Sequence, residues 1–242
     1  MRIRVIAFAS AADVLGTGAL ELTLDAGATV AVLGRLLGER VPALAPIWPR
    51  LAIAVDGAIV HQDAALGDGC EVALLPPVSG GAHQRAATEP CAQPPAAGSL
   101  RVSLVDRAID VAAIERSVRH AACGAVVLFL GTVRDHHRGR AVRTLAYSAY
   151  RPMAHVRLAR IVADLERQAP GLHATIVHRL GAVPIGEPSV VIAVASPHRE
   201  AAYQASRTAL ERLKREVPIW KRETYADGSA TWREEEALVP AE

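Results

Sequence analysis

Lysine is almost absent from this chain: of its 27 basic side chains, 25 are arginine and two are lysine. Both lysines fall in one eleven-residue stretch, Leu213-Lys214-Arg215-Glu216-Val217-Pro218-Ile219-Trp220-Lys221-Arg222-Glu223. Arginine keeps its charge at any working pH, whereas a buried ammonium can shed its proton and serve as nucleophile or base. The placement marks this stretch as a candidate for chemistry; two leftover surface lysines are the plain alternative. Cysteine is also scarce. Cys70, Cys91 and Cys123 are odd in number, far apart and in no C-x-x-C arrangement, which argues against a disulfide framework or a zinc site. Aromatic residues make up 4% of the chain, and no lysine-rich or arginine-rich run occurs, so a nucleic-acid partner is not expected. There is no run of eighteen apolar residues, and the N-terminus enters an alternating strand pattern at once. Neither a membrane span nor a signal peptide is indicated, and the expectation is a cytoplasmic protein with no membrane partner.

What is present is length and apolar content: 242 residues, 51% hydrophobic, enough for two ordinary domains. The net charge of +2 hides an asymmetry. Residues 1–81 hold five arginines against eight acids (−3), and residues 99–242 hold 21 basic against 16 acidic groups (+5). A basic half of this kind suits an anionic ligand or an acidic docking partner.

Residues 2–8 and 19–24 read as two strands forming a hairpin, the second alternating Leu20, Leu22 and Leu24 with Glu21 and Thr23. Thr29 caps a helix with Val30, Leu33, Leu36 and Leu37 at three-to-four spacing, stopped by prolines at 42, 46 and 49. Strands follow at 51–55, after an Asp56-Gly57 turn at 59–60, and at 70–75, ending in Pro76-Pro77-Val78-Ser79-Gly80-Gly81. Two prolines and a tail without side chains make a segment that leaves the fold extended and can thread a narrow channel. Strand order, Asp-Gly turn and Gly-Gly ending together resemble the small, ubiquitin-like sulfur-carrier subunit of molybdopterin synthase over residues 1–81. That resemblance implies a β-grasp domain whose functional terminus is Gly80-Gly81. Residues 82–98 lack periodicity, are rich in alanine and proline, and read as a linker. A flexible chain of this length spans roughly 20–25 Å on average.

From residue 99 the pattern is that of an α+β domain. A strand at 100–105 and a helix at 110–119 precede the apolar run 125–133, read as a buried strand. The basic loop Arg134-Asp135-His136-His137-Arg138-Gly139-Arg140 follows. Then come a strand at 143–150, an amphipathic helix at 152–168, strands at 174–180 and 190–195, a long helix at 197–215 and a hairpin turning at Asp227-Gly228. Ser196-Pro197-His198-Arg199 reads as a helix entry with serine capping and proline in the first turn. Its free N–H groups, His198 and Arg199 suit a phosphate, although the motif alone is also an ordinary helix start. The adjacent pair His136 and His137 lacks the further Cys or Glu a metal set needs, and a solvated basic loop is the better reading.

Gly131-Thr132-Val133-Arg134, Pro197-His198-Arg199 and the stretch from Leu213 to Glu223, above all Pro218-Ile219-Trp220-Lys221-Arg222-Glu223, resemble the large catalytic subunit of molybdopterin synthase over residues 100–233. The resemblance implies a C-terminal α/β hammerhead-type catalytic domain, here residues 99–242. It implies Lys214 as the main catalytic group with Lys221 beside it. Thr132, Val133, Arg134, His198, Arg199, Arg222 and Glu223 are the implied contacts for cyclic pyranopterin monophosphate. Thr132 stands where the family often carries lysine. The implied reaction is sulfur transfer from a glycine thiocarboxylate to build the dithiolene, with no cofactor or metal required. An adenylyltransferase of the ubiquitin-activating kind, a sulfur donor and a homodimer of the catalytic domain complete the implied partners. Gly81 is followed by Ala82, so the carboxyl group that must be activated lies in a peptide bond. Processing after Gly81 is the expectation, and a carrier domain kept only as a docked element is the alternative. The competing function is a non-catalytic pterin-phosphate-binding protein with a structural ubiquitin-like domain.

Overall fold

The computed structural model describes residues 1–78 and 101–233, which fall in two compact units. Gly80, Gly81 and the linker residues 82–98 lie outside the described residues.

In the first unit, β1 (Arg2–Ala7) pairs antiparallel with β2 (Ala19–Thr23) and parallel with β5 (Glu71–Leu75). Strand β5 continues antiparallel to β3 (Ala52–Val55), and β3 to β4 (Ala58–Val60), giving the order β2-β1-β5-β3-β4. Helix α2 (Val30–Arg40) crosses one face of this sheet, and Val5, Leu33, Leu37, Leu44, Val72 and Leu74 form the core of a β-grasp arrangement. Thr29 caps α2 as the sequence predicts, its hydroxyl accepting from the Val32 N–H at 3.5 Å. The expected simple β1–β2 hairpin is corrected: helix α1 (Ala9–Leu15) intervenes, with Ala9 and Ala11 buried against the core and Gly16 ending it in the left-handed region. The helix packs without breaking the antiparallel pairing of the two strands.

The second unit holds two sheets. In the first, β6 (Val102–Val105), β10 (His173–Arg179), β12 (Pro188–Ser196) and β7 (Ala125–Thr132) lie in that order. Helices α4 (Arg151–Gln168) and α5 (Arg199–Glu216) cover one face and α3 (Val111–Val118) the other. Strand β12 is buried on both faces, which explains its continuous apolar run. The second sheet runs β11 (Gly181–Val183), β9 (Arg140–Ala149), β13 (Ile219–Tyr225), β14 (Ala230–Arg233), with β8 (His136–His137) paired to the start of β9.

Three local expectations change. Strand β7 is not buried: it is the last strand of its sheet, and Val126 and Leu130 are 39% and 40% exposed. The basic loop is a tight hairpin in which Arg138 and Gly139 both take positive φ, the geometry of a primed turn. The entry to α5 is shifted as well. Ser196 is the last residue of β12, paired with Ala125 and buried, so it cannot cap; His198 holds the N-cap position and Pro197 precedes the helix. Pro197 can pack this closely because residues 124 and 171 are glycine: a Cβ on Gly124 would meet its carbonyl at 2.8 Å, and one on Gly171 would meet its ring at 3.0 Å.

Candidate functional site

Successive residues of β13 point to opposite faces, so Lys221, Glu223 and Tyr225 share one side, with Trp220, Arg222 and Thr224 on the other. Lys221 is paired with Tyr147 of β9 on one flank and with Arg233 of β14 on the other. A row of Arg233, Lys221 and Tyr147 therefore crosses three strands.

Glu223, two residues on, is 3% exposed. Its Oε2 accepts from Tyr225 Oη at 2.7 Å and from Arg233 Nε at 2.6 Å, and its Oε1 lies 3.7 Å from His137 Nδ1. Burial alone would raise its pKa, but those hydrogen bonds and the charges of Arg233 and His137 bring it below the usual carboxylate value. The His137 pKa is lowered, first by burial and then by the nearby charges of Arg233, Lys221 and Arg138, against the opposing pull of Glu223. Arg140 lies over the Tyr225 ring at 3.6 Å and donates to Asp227 at 2.8 Å, which ties the hairpin of β8 and β9 to the β13–β14 turn.

Tyr147 is anchored from behind. Its hydroxyl is hydrogen-bonded to Ser189 at 3.1 Å, and Ser189 donates to the Gly131 carbonyl at 3.0 Å, joining the two sheets beside Thr132. Its ring meets His178 edge-on at 4.9 Å. Burial holds the Tyr147 pKa above its ordinary value; the Ser189 bond opposes this and the Glu223 charge adds to it. His178 is fully enclosed, shares a hydrogen bond with the Arg179 carbonyl at 2.8 Å, and has its pKa lowered to about 4 by burial.

The residues proposed from the sequence divide into groups. Thr132 and Arg134 are exposed at the end of β7. Val133 between them is 4% exposed, its N–H bonded to the Glu187 carbonyl and its carbonyl to the Gly186 N–H, so its side chain belongs to a core with Val142, Leu145, Val183 and Tyr225. Lys214 is exposed on the last turn of α5, one short connection before Lys221 on β13. Arg222 is exposed on the face of β13 opposite Lys221, its guanidinium 5.7 Å over the Trp232 ring. His198 and Arg199, both exposed, sit at the other end of α5 from Lys214. At 1.5 Å per residue that is a separation of about 24 Å, too far for one small ligand to touch both ends. Among the described residues no three His, Cys, Asp or Glu side chains converge on a metal position, and His136 instead pairs with Asp135 at 2.5 Å.

Tyr147, Ser189, His178 and Arg233 were not singled out from sequence, and His137 was weighed only as a metal ligand or as part of a basic loop. Their neighbourhood depends on register between strands far apart in the chain. The one local signal was the period-two spacing of Lys221, Glu223 and Tyr225.

The MoaE protein family profile matches residues 104–216, and the ThiS family profile matches residues 5–81, ending on Gly81. A molybdopterin synthase catalytic subunit of Culex quinquefasciatus is 46% identical over 140 residues, covering 57% of this chain and 89% of that protein. The chain belongs to the molybdopterin synthase catalytic subunit family. A molybdopterin synthase catalytic subunit of Bacillus subtilis is 45% identical over 128 residues, 53% of this chain and 82% of its own length. Among solved structures, molybdopterin synthase from Staphylococcus aureus matches with a TM-score of 0.51 at 40% identity, covering 53% of this chain and 93% of that one. A molybdopterin synthase catalytic domain and a ubiquitin-like ThiS domain are thus carried by one polypeptide, which places it in molybdenum cofactor biosynthesis. No helix among the described residues is long and apolar enough to cross a membrane.

Proposed function

We propose that this chain is a cytoplasmic sulfurtransferase that moves sulfur from a thiocarboxylate on Gly81 to cyclic pyranopterin monophosphate, two atoms in turn, to form the molybdopterin dithiolene. The observation that carries the reading is the placement of the chain's two lysines. Lys214 ends α5, inside the span matched by the MoaE family profile, and Lys221 stands in the Arg233–Lys221–Tyr147 row a few residues beyond it. Lys214 is the main catalytic amine and Lys221 serves beside it, while Thr132, Arg134, His198 and Arg199 face the anionic substrate and the charge that develops on it; Arg222, on the opposite face of β13 from Lys221, lies outside this group. Glu223 and Val133 act from inside the fold: Glu223 holds Arg233 and His137 in place, and Val133 fixes the backbone that presents Thr132 and Arg134.

The length of α5 supports a site shared between two copies. The outer edge of β7 pairs with no strand among the described residues, and the strand is apolar and uncharged throughout. Antiparallel pairing of two β7 edges sets the Ala125 end of one copy beside the Thr132 end of the other. Ser196, next to His198 and Arg199, is paired with Ala125, and Pro188 with Thr132. Such a homodimer carries His198 and Arg199 to the partner's Thr132, Arg134 and Lys214, closing the 24 Å gap estimated from helix rise.

The carrier half functions after cleavage between Gly81 and Ala82, with an adenylyltransferase of the ubiquitin-activating kind and a sulfur donor loading the new terminus. The test combines intact-mass analysis of chain isolated from its native cell with a product assay on the Lys214→Arg variant. The expected result is a carrier fragment ending at Gly81, together with dithiolene formation that Lys214→Arg abolishes while substrate binding persists. Full activity in uncleaved chain removes the processing step, and normal product formation by Lys214→Arg removes the role of Lys214.

A further inference from the structure

Tyr147 is the one hydroxyl placed directly across a strand from Lys221, and its surroundings fix where that hydroxyl points. Cross-strand partners in an antiparallel pair have their Cβ atoms about 5 Å apart on the same face, and tyrosine and lysine side chains are similar in reach, so the Lys221 amine can reach the Tyr147 hydroxyl. The ring is clamped edge-on by His178 at 4.9 Å, and the hydroxyl is held by Ser189 at 3.1 Å. Ser189 is itself buried and fixed to the Gly131 carbonyl, so the chain Gly131, Ser189, Tyr147 runs from the base of Thr132 to the strand position paired with Lys221. The Glu223 charge acts on the same hydroxyl, and Glu223 lies on the face of β13 that carries Lys221, two residues along the strand.

A buried tyrosine in an ordinary sheet needs a single hydrogen-bond partner, and Ser189 already provides it. The phenol oxygen retains a lone pair on the side facing β13. On the other flank of Lys221 stands Arg233, a cation that offers the amine no acceptor and is bonded to Glu223. From the geometry we propose that Tyr147 is a positioning residue for sulfur transfer: its hydroxyl accepts a hydrogen bond from the Lys221 amine and aims that amine toward the Thr132 end of β7. The proposal rests on the reading of Lys221 as a working amine.

The paucity of lysine makes the test clean, because an acylating reagent followed by peptide mass spectrometry reads two side-chain amines separately, Lys214 serving as internal reference. Tyr147→Phe keeps the ring and its packing on His178 and removes the oxygen alone. Three effects are expected: kcat lower by about tenfold, the size set by one hydrogen bond; KM little changed; and faster labelling of Lys221 with Lys214 unchanged. Ser189→Ala leaves the ring in place and frees the hydroxyl, and is expected to move both readouts the same way by less. If Tyr147→Phe proves unstable in a thermal melt, Ser189→Ala decides alone. Wild-type kcat and wild-type Lys221 labelling in the folded variants overturn the proposal while Lys221→Ala remains inactive. Full activity in Lys221→Ala overturns instead the reading on which it rests, and the labelling comparison still reports whether Tyr147 holds the amine.

Discussion

At the scale of single residues, the most consequential placement besides the lysines is His178. It is enclosed in β10 and its pKa is lowered to about 4, so it is neutral in the fold near neutral pH. The unfolded chain protonates this imidazole near its ordinary pKa of about 6.5 and therefore binds more protons than the folded one between those values. Stability associated with His178 is complete above about pH 6.5 and falls as pH drops toward 4, by about 3 kcal/mol over the whole window. Thermal melts of the catalytic unit from pH 7 to pH 4.5 should show this slope, and His178→Phe should flatten most of it, His137 supplying a smaller part in the same direction. Carboxylates with lowered pKa values, the buried Glu223 and the half-buried Asp164, lose their contribution mainly below about pH 4.5, at the acid end of this window and beyond it. Lys214, Lys221, His198 and Arg199 stood out from residue type and spacing. Tyr147 and His178 did not, because a tyrosine or histidine inside an alternating run looks like any strand residue until its cross-strand neighbour is known.

At the scale of elements, α5 is held at its C-terminal end by a clamp. Arg212 donates to Glu216 at 3.0 Å and to Asp164 of α4 at 2.9 Å, while Arg157 of α4 donates to the Glu216 carbonyl at 2.7 Å. These bonds satisfy one of the open carbonyls at the helix end and fix where Lys214 and the turn into β13 lie. Arg212→Met keeps much of the apolar stem but leaves two partly buried carboxylates without their shared partner. Urea denaturation should show a loss of about 1.5–3 kcal/mol, the range for hydrogen bonds to charged groups. Elements whose signal is local were legible from sequence: the Thr29 cap, the Asp56-Gly57 turn and the hairpin at Asp227-Gly228. Those whose character depends on distant neighbours were not. Strand β7 has the same apolar run whether central or at an edge, and β11 is three residues that become a strand only by lying against β9.

At the scale of the whole molecule, the ends of α5 lie too far apart to serve one pocket of one copy, so the proposed site is a property of the pair. The consequence is complementation between two defective chains. Lys214→Ala and Arg199→Ala homodimers should each be inactive. Co-expressed, half the dimers are mixed and each mixed dimer holds one pocket with both residues intact, so about one quarter of wild-type activity should return. No recovery in a mixture shown by native mass spectrometry to contain the mixed dimer would place all the catalytic groups in one chain. A pocket shared between two copies was implied by the family resemblance alone; the physical argument for it, a helix length set against an unpaired strand, needs the fold.

That strand has a further consequence, for solubility. Natural sheet edges are guarded by lysine, proline, a bulge or an inward charge, which stop foreign strands from adding to them. The eight residues of β7, Ala-Val-Val-Leu-Phe-Leu-Gly-Thr, contain neither charge nor proline, and Val126 and Leu130 stand open to water. A newly made copy therefore displays an unguarded template, and in the proposed homodimer its own twin, presented in matching register, would keep any other extended segment from being copied onto it.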